Sequence, residues 1–479
     1  MSVPEETAII IGAGLAGISA SYYLSKNNIR HLILEKSQVV GGIWSSLAWP
    51  GIRCDTEIIN YSYSFKPFIS KQSLVPGEEI SNYLQATSIE TGMIDKIMFG
   101  VKVVRAVFIT DKNVWHFYTN KGLFKARFLI NANGYFSDTP HIPSIAGTKI
   151  FEGKITHLFH LNRRSDFKNK RIVLVGSGAS AVSAAPALCS NSLSMTILQR
   201  SPSYIYEDNN KIGFFVYLAQ KLYGKGLSYP VKLVNYFIQL KNDLVFVMFR
   251  KFPWVGKIFF KYHWLHSIDR KSYQENFQPD YNPWEQRIPV AIGLKKAIRT
   301  KKINIVTGRI KTFVKSGILL VDGRYIESDL CILATGFDLN FFQFDIFIDY
   351  QKVDTRGINF FKGMMMGGIY NYFQPFGPPH TSFTRRIEVV SKLIVKIISY
   401  MRRHDLDRVI IDRQYVKQTP RITPGYVMRN LSELPAIYGT LELPSIDNIF
   451  YFNFSKNDYK FSGNGIPNNL EYDQITSAQ

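Results

Sequence analysis

Two glycine-rich hexapeptides in this chain have the composition of nucleotide-binding turns. Gly-Ala-Gly-Leu-Ala-Gly occupies residues 12–17 and Gly-Ser-Gly-Ala-Ser-Ala residues 176–181, so their first glycines are 164 residues apart. Glycine lets the backbone turn off a strand and approach a pyrophosphate closely, while the following helix N-terminus supplies N–H groups. The positions concerned are Gly12, Gly14, Gly17, Gly176, Gly178 and Ala181. Two such turns predict two dinucleotide cofactors held face to face.

The elements around the first turn are those of a dinucleotide-binding βαβ unit. Residues 7–11 and 31–34 are predicted strands, and residues 17–25 are a predicted helix. The second strand ends in Glu35, 23 residues after Gly12, where a carboxylate accepts hydrogen bonds from ribose hydroxyls. We predict a dinucleotide site here, and the alternative is a tight strand–helix turn without a ligand.

The second unit differs from the first at the end of its second strand. The predicted strand at residues 194–198 is followed by Gln199, Arg200 and Ser201 instead of an acid. A guanidinium and a hydroxyl suit the 2′-phosphate of NADPH, which a carboxylate would repel. We therefore assign FAD to the first unit and NADPH to the second. The alternative for Arg200 is a solvated arginine on the surface.

Further segments of the chain resemble one family of flavoproteins. They are Gly-Gly-Ile-Trp at 41–44, Trp-Pro-Gly-Ile-Arg-Cys-Asp at 49–55, Tyr-Ser-Tyr-Ser-Phe at 61–65, Phe-x-Gly-x-x-x-His at 151–157, Tyr-Asn-Pro-Trp-Glu-Gln-Arg at 281–287, Ala-Thr-Gly at 334–336, Lys-Gly-Met-Met at 362–365 and Thr-Pro-Gly-Tyr-Val-Met-Arg at 423–429. Together they resemble class B flavoprotein monooxygenases of the Baeyer–Villiger type, in the branch of ethionamide-activating and long-chain ketone monooxygenases. This resemblance implies that Gly42, Trp44, Ala334, Thr335 and Gly336 contact the cofactors.

The chemistry of that class requires a fixed positive charge at the flavin. Reduced flavin reacts with dioxygen to form a peroxide, which in the Baeyer–Villiger case attacks a ketone carbonyl. An anion in a dry pocket needs a permanent cation, and arginine keeps its charge when buried. The resemblance offers Arg287 for this role and Asp55 as its charge partner. The alternative for each is an ordinary interdomain salt bridge, although the desolvation cost of a buried pair favours a functional use.

The segment between the two units matches the class in part. The resemblance implies that Phe151, Gly153 and His157 couple the nucleotide domains, and the alternative for His157 is a satisfied core histidine. Leu161 and Asn162 depart from the class, which usually has an aromatic residue here, often before a proline. We therefore expect the coupling or the cofactor fit to differ from the class.

Gln286 is a second departure. Many Baeyer–Villiger enzymes have a lysine before the catalytic arginine, and that lysine touches the NADP phosphate. The ethionamide-activating branch also resembles this chain at Gln286, so the change fits the branch. Recognition of the phosphate is then expected to depend more on Arg200.

Composition indicates a large enzyme. The chain has 479 residues, of which 46% are hydrophobic, and this is enough for two or three domains with extensive cores. Cys54, Cys189 and Cys331 are scattered, so no disulfide framework or metal site is predicted, and the lack of Cys-x-x-Cys argues against flavin disulfide reductases. The first predicted strand begins within seven residues of Met1, which leaves no room for a signal sequence and predicts a cytoplasmic protein.

The order of the motifs predicts an α/β fold with two Rossmann-like dinucleotide-binding domains and a helical insertion in the NADP domain. We expect the FAD domain to comprise residues 1–147 and 337–455, and the NADP domain residues 148–203 and 283–336. The insertion covers residues 204–282. Residues 456–479 are rich in asparagine, serine and aspartate and are expected to form a flexible tail.

The insertion has an unusual composition. From Ser203 to Lys271 there are eleven lysine or arginine residues and four acids, interleaved with many aromatics. Cationic and aromatic residues on helices suit the surface of an anionic membrane, and no stretch has the roughly 18 apolar residues needed to span one. The alternative is a helical subdomain that covers the substrate pocket. Nucleic-acid binding is not favoured despite the net charge of +21, because no nucleic-acid-binding motif is present.

Three functions remain open from the sequence. The first is an FAD- and NADPH-dependent monooxygenase that uses O₂ to convert apolar ketones to esters or lactones. The second is oxygenation of a thioether or an amine at sulfur or nitrogen, and the third is a non-catalytic, membrane-associated flavin-binding protein. Met364, Met365 and Met366 are candidate pocket residues because methionine adapts to varied apolar substrates, although plain core is the alternative. Residues 377–380 precede a predicted helix at 387–403 whose N-terminus is expected to face the flavin.

Overall fold

The computed structural model describes residues 6–162, 167–356, 358–376, 383–411, 436–437 and 456–463. Within these ranges the helices are α1 Leu15–Lys26, α2 Ile43–Ser46, α3 Ile58–Tyr61, α4 Gly77–Glu90, α5 Ala179–Leu188, α6 Phe214–Tyr223, α7 Tyr229–Lys251, α8 Pro253–Leu265, α9 Arg270–Asn276, α10 Leu294–Arg299 and α11 Phe383–Arg403. The strands of the first half are β1 Glu6–Ile11, β2 His31–Glu35, β3 Ile97–Phe99, β4 Val103–Ile109, β5 Val114–Thr119, β6 Gly122–Asn131, β7 Phe136–Pro140, β8 Lys154–His157, β9 Arg171–Val175, β10 Ser194–Gln199 and β11 Tyr206–Glu207. Those of the second half are β12 Val290–Ala291, β13 Ile303–Thr307, β14 Ile310–Val314, β15 Gly317–Leu320, β16 Tyr325–Glu327, β17 Leu330–Leu333, β18 Phe337–Leu339, β19 Asp345–Ile348, β20 Gln351–Lys352, β21 Asn359–Phe361, β22 Met365–Met366, β23 Tyr372–Phe373, β24 Arg408–Ile410, β25 Ala436–Ile437 and β26 Lys460–Ser462.

The larger sheet surrounds the strand that leads into the first glycine turn. Its order is β20-β19-β4-β5-β6-β1-β2-β3, with β23 also paired to β6. β1 lies parallel to both neighbours, so that Ile10 pairs with Ile33 and with Ile130. Helices α1 and α11 share one apolar core with this sheet, in which Ile18 and Ile394 are buried. A central strand covered on its faces must be apolar throughout, as residues 8–11 are.

The second sheet repeats the arrangement of the first around the other glycine turn. Its order is β13-β10-β9-β17-β8, and all neighbouring strands are parallel. The backbone N–H of Gly12 donates to Leu34 O, and that of Gly176 donates to Leu198 O, each over 2.9 Å. The two turns therefore leave their sheets in the same way. The predicted α/β fold with two Rossmann-like units is confirmed.

The chain passes between the two units twice, and the two crossings lie side by side. β7 and β18 pair antiparallel, with Phe337 opposite Pro140 and Leu339 opposite Phe136. The backbone N–H of His141 also donates to Gly336 O over 2.9 Å. The two crossings thus form a single two-stranded connection between the units.

The segment between β11 and β12 contains helices α6, α7, α8 and α9. β11 and β12 pair in parallel, so the two ends of this helical segment meet. Within the described ranges, no helix is both long and apolar enough to cross a membrane. The segment forms a separate helical layer, in which α9 contacts β13 of the second unit and α7 contacts α3 of the first unit.

The C-terminal residues that the structure describes are ordered against the first unit. β26 pairs antiparallel with β24, and the Lys362 ammonium lies 2.7 Å from an Asp458 carboxylate oxygen. Residues 456–463 therefore differ from the flexible tail that we expected from residue 456 onward. The motifs at 377–380 and 423–429 lie outside the described residues.

Candidate active site

Both glycine turns face one cavity with a volume of about 1870 Å³. Pockets for a single small molecule have volumes of about 300–1000 Å³, so this one has room for more than one ligand. The predicted site residues that line it are Gly12, Gly14, Glu35, Gly42, Trp44, Asp55, Gly176, Gly178, Arg200, Ser201, Gln286, Arg287, Ala334, Thr335 and Gly336. The structure therefore brings most of the predicted positions together, although they are spread over more than 320 residues.

The first glycine of each turn is held in a conformation that other residues rarely adopt. Gly12 has φ +103° and Gly176 has φ +136°. A Cβ at Gly12 would lie 2.7 Å from Ala132 O, and one at Gly176 would lie 2.6 Å from Ala334 O. A side chain at either position would collide with backbone, so glycine is required by the turn itself.

Helices α1 and α5 begin at these turns with exposed backbone donors. Their N-cap residues, Gly14 and Gly178, provide no side-chain cap, and neither helix has an acid in its first turn. The first N–H groups of a helix lack intrahelical partners and carry partial positive charge. Two such N-termini at one cavity fit the pyrophosphates of two dinucleotides.

Gly17 and Ala181 are not among the residues that line the cavity, and their assignment as cofactor-contacting residues stays a prediction. A Cβ at Gly17 would collide with the carbonyl oxygen of Gly12. Ala181 is fully buried in the core beneath α5. The third position of each turn therefore lets the helix pack closely on its strand.

Glu35 supports the first turn from the end of β2. Its carboxylate accepts hydrogen bonds from Ala13 N over 2.6 Å and from Ser37 N over 2.7 Å. A carboxylate has about four acceptor positions, so it can hold the turn and still accept from ribose hydroxyls.

Asn133 is a cavity residue that the sequence analysis missed. It follows β6 directly after Ala132 and lines the cavity. Both polar atoms of its side-chain amide are buried and have no hydrogen-bond partner among the described residues. A buried amide costs free energy unless it is paired, so this side chain fits contact with a polar ligand at the first turn.

The second unit has no acid at the position that Glu35 occupies in the first. Gln199 ends β10, but its side-chain N–H donates to Asn276 O over 2.7 Å and to Thr307 Oγ1 over 2.9 Å. The side chain of Gln199 is therefore used for hydrogen bonds within the second unit. The exposed Arg200 and Ser201 line the cavity next to it.

Arg287 and Asp55 meet across the cavity from loops 232 residues apart. The Arg287 Nη2 lies 2.7 Å from one carboxylate oxygen of Asp55 and 2.5 Å from the other. The Arg287 side chain is 35% exposed and that of Asp55 is 19% exposed. Arg53 lines the same wall, and burial lowers the pKa of its guanidinium. The pair therefore holds a cation at the cavity surface, partly shielded from water.

The helical layer supplies an apolar wall near this pair. The lining residues from α7, α8 and the following loop include Val245, Phe246, Phe249, Phe260, Trp284 and Ile288. Trp284 has φ +70°, and its ring meets that of Phe246 edge to face over 5.4 Å. The sequence analysis did not single out these side chains, because the composition of a helical segment does not show which of its faces borders a cavity.

The residues expected to couple the two units lie outside the cavity. Phe151 packs on Phe313 inside the second unit, and Gly153 lies against the Phe151 ring. His157 is buried, and its Nδ1 accepts from Phe159 N over 3.1 Å. The imidazole meets the ring of Phe337, which belongs to the connection between the units, over 5.9 Å. His157 is therefore the member of this group that the structure places at the connection, while its coupling role remains a prediction.

The three consecutive methionines do not line the cavity, which corrects their assignment to the pocket. Met364, Met365 and Met366 are all fully buried. Met364 and Met365 belong to the core between the first sheet and α11, and Met366 belongs to the core on the other side of that sheet. The β21–β22 pairing directs them into these cores, so they stabilise the first unit.

Comparison with known proteins agrees with this arrangement. The protein family described as pyridine nucleotide-disulphide oxidoreductase matches residues 9–213. The FAD-containing monooxygenase EthA of Mycobacterium tuberculosis (strain ATCC 25618 / H37Rv) is 33% identical over 447 residues, which cover 89% of this chain and 90% of EthA. The probable FAD-binding monooxygenase AlmA of Acinetobacter baylyi is 28% identical over 445 residues and 89% of each chain.

Solved structures share the fold over nearly the whole chain. An oxidized steroid monooxygenase bound to NADP superposes with a TM-score of 0.73 at 20% identity, covering 96% of this chain and 100% of the other. The NADP⁺-bound cyclohexanone monooxygenase from Rhodococcus sp. Phi1 gives a TM-score of 0.75 at 18% identity, with the same coverage. At these identities the likeness concerns the fold.

The fold and the cavity define an oxidoreductase with two dinucleotide-binding units that face each other. The identity to EthA over most of both chains narrows this class further. The chain belongs to the family of FAD-containing monooxygenases. It is an enzyme of the flavin monooxygenase class, and the hypothesis of a non-catalytic flavin-binding protein is set aside.

Proposed function

We propose that this enzyme inserts one oxygen atom into apolar ketones, with FAD at the first glycine turn and NADPH at the second. The observation that carries the proposal is the Arg287–Asp55 pair, which lies in a cavity that both turns line. Gly12, Gly14, Glu35 and Asn133 would hold the FAD. Once bound, FAD would supply the activation of O₂ that is typical of this class of enzyme, with NADPH as the reductant.

The second turn would hold the NADPH. Its pyrophosphate would bind at Gly176 and Gly178, at the N-terminus of α5. Its 2′-phosphate would bind to Arg200 and Ser201. This assignment is supported by the use of Gln199 inside the core, which leaves no carboxylate at the end of β10 to repel the phosphate.

Arg287 would stabilise the negative charge that develops during attack on a carbonyl. An arginine stays protonated at all working pH values, and a charge fixed in a partly dry cavity acts more strongly than one in water. Asp55 engages one guanidinium nitrogen with both oxygens and so restricts the orientation of the group. We assign Asp55 as the residue that positions Arg287.

The cavity wall formed by the helical layer supports an apolar substrate. Phe246, Phe249 and Phe260 offer aromatic faces, and Trp284 and Ile288 adjoin the arginine loop. Binding of an alkyl or aryl group against this wall excludes water and is favourable by about 25 cal/mol per Å² of buried apolar surface. A ketone carbonyl would then be the polar part of the substrate that reaches the arginine.

The decisive experiment is a product assay on the purified FAD-loaded enzyme. After anaerobic reduction with NADPH, it is mixed with oxygenated buffer and a panel of aliphatic, cyclic and aryl ketones and thioethers. We expect the ketones to give esters or lactones. The Arg287→Ala variant should lose this activity by about 10²-fold or more, and should lose less of any activity toward thioethers. Arg299→Ala, an exposed arginine on α10, serves as the matched control.

Other outcomes decide against the proposal. Oxygenated thioethers without any ester would assign heteroatom oxygenation instead, because sulfur or nitrogen needs no carbonyl partner. Equal retention of ketone and thioether oxygenation in Arg287→Ala would remove Arg287 from the mechanism.

A further inference from the structure

Helix α7 exposes an apolar face to solvent. Exposed side chains recur along it at intervals of four and seven residues, which places them on one side of the helix. They are Tyr229, Leu233, Phe237, Leu244 and Met248. The opposite side is buried and carries Val231, Phe246 and Phe249 together with the polar residues Gln239 and Asp243. A helix on the surface of a soluble protein normally carries polar and charged residues on its solvent side, so this apolar outer face is suited to a non-aqueous partner.

The neighbouring helices extend the apolar surface. On α6, Phe214 and Phe215 are 71% and 73% exposed, and on α8, Trp254 and Tyr262 are 64% and 60% exposed. A large aromatic side chain has about 150–250 Å² of surface, so these four rings alone present several hundred Å² to solvent. Exposed apolar surface of this extent marks an interaction site in a folded protein.

The charge of the same helices indicates which partner fits. From Phe214 to Leu265 the chain has eight lysine or arginine residues and a single acid, Asp243, whose side chain is buried. In a symmetric dimer this surface would face a copy of itself and bring like charges together. An anionic lipid headgroup layer complements the cations, and the layer below it accepts the apolar side chains.

We propose that the exposed faces of α6, α7 and α8 form a docking surface for an anionic phospholipid bilayer. Within the described residues no helix can cross a membrane, so the protein would lie on the bilayer. The inward faces of α7 and α8 line the active-site cavity through Phe246 and Phe260. Met248 and Phe259 are exposed and also line the cavity, so the cavity reaches the surface beside the docking residues. An apolar substrate dissolved in lipid then enters without crossing water.

Vesicle flotation of the full-length, FAD-loaded protein tests this docking. We expect it to float with vesicles of phosphatidylcholine plus phosphatidylglycerol, and much less with phosphatidylcholine alone or at high salt. Two double variants should each reduce the bound fraction at least tenfold: Phe237→Ser with Leu244→Ser, and Lys251→Glu with Lys257→Glu. None of these four residues lines the cavity, so NADPH oxidation in solution should be unchanged.

The controls are exposed residues of the second unit. Leu193→Ser removes an apolar side chain that is 67% exposed, and Lys311→Glu reverses an exposed charge on β14. Both variants should bind vesicles like the unchanged enzyme. The proposal is overturned if the folded enzyme does not bind anionic vesicles, or if the controls lose binding equally. It is also overturned if the Phe237/Leu244 variant converts a dimer to a monomer while keeping vesicle binding.

Discussion

At the scale of single residues, the three small residues of each nucleotide turn have different physical roles. The first and the third glycine of the first turn, Gly12 and Gly17, are required by protein contacts, because a Cβ at either position would collide with backbone. The second is not, because a Cβ at Gly14 would come no closer than 3.6 Å to any protein atom and one at Gly178 would meet none within 4 Å. Glycine at the second position is therefore what we expect where a ligand approaches the backbone closely.

A Gly178→Ala substitution tests this distinction. We expect its melting temperature to stay unchanged, because the backbone conformation and the space both permit alanine, while its Kd for NADPH rises about tenfold, equal to roughly 1.4 kcal/mol. Gly213→Ala is the matched control, since its Cβ also meets nothing within 4 Å and it lies outside the cavity. Unaltered NADPH binding in Gly178→Ala, measured by calorimetry, would show that the pyrophosphate is not bound at this turn.

At the scale of elements, the loop that carries Arg287 depends on helix α8. A Cβ at Gly256 would lie 2.8 Å from the Pro283 ring and 3.1 Å from the Phe249 ring. The Tyr204 hydroxyl donates to Tyr281 O over 3.0 Å and holds the start of the same loop. The helical layer thus fixes the position of the arginine as well as forming the apolar wall.

Gly256→Ala should displace this loop and lower turnover. Because small misplacements of a catalytic group reduce rates strongly, we expect kcat to fall about tenfold or more, while the FAD content remains that of the unchanged enzyme. Gly224→Ala, at the end of α6, is the matched control, since its Cβ would meet neighbours at an ordinary 3.5 Å. Steady-state kinetics measures kcat, and flavin quantification measures the FAD content. A normal kcat for Gly256→Ala would mean that the loop is positioned by other contacts.

At the scale of the whole molecule, three histidines in buried or half-buried positions are held in the neutral form. Burial lowers the pKa of His31, His157 and His263 to about 4 in each case. For His157 the neighbouring imidazoles of His160 and His141 add to the effect of burial, and for His263 the ammonium of Lys295 does so. The three sites lie in the first unit, beside the connection and in the helical layer, so they report on most of the fold.

Stability should therefore fall as the solution becomes acidic. The unfolded chain binds these protons with a pKa near 6.5, above the folded value, so the stabilisation present above pH 6.5 is lost progressively as the pH falls to about 4. At pH 5 His31 and His157, whose side chains are buried, should each cost about 2 kcal/mol. Urea unfolding at pH 7 and pH 5 measures this loss, which His157→Gln should reduce. A His157→Gln variant with an unreduced loss would contradict the assignment.

The sequence by itself determined the elements whose formation depends on residues adjacent in the chain. A turn that needs a residue with positive φ, together with the apolar strand that precedes this turn, can be recognised from adjacent residues. The predicted strands at 7–11, 31–34 and 194–198 accordingly match Glu6–Ile11, His31–Glu35 and Ser194–Gln199 within one residue at either end. The resemblance to a family added Arg287 and Asp55, which the structure places in contact.

Only the tertiary structure decided what surrounds each side chain. Met364 was expected in the pocket but is buried in the core, whereas Asn133 was overlooked and lines the cavity. The direction of the apolar face of α7 was equally open, because its composition suits a core or a membrane surface. The physical reason is that burial and pairing depend on contacts between segments far apart in the chain, such as residues 55 and 287, and a local pattern contains no information about them.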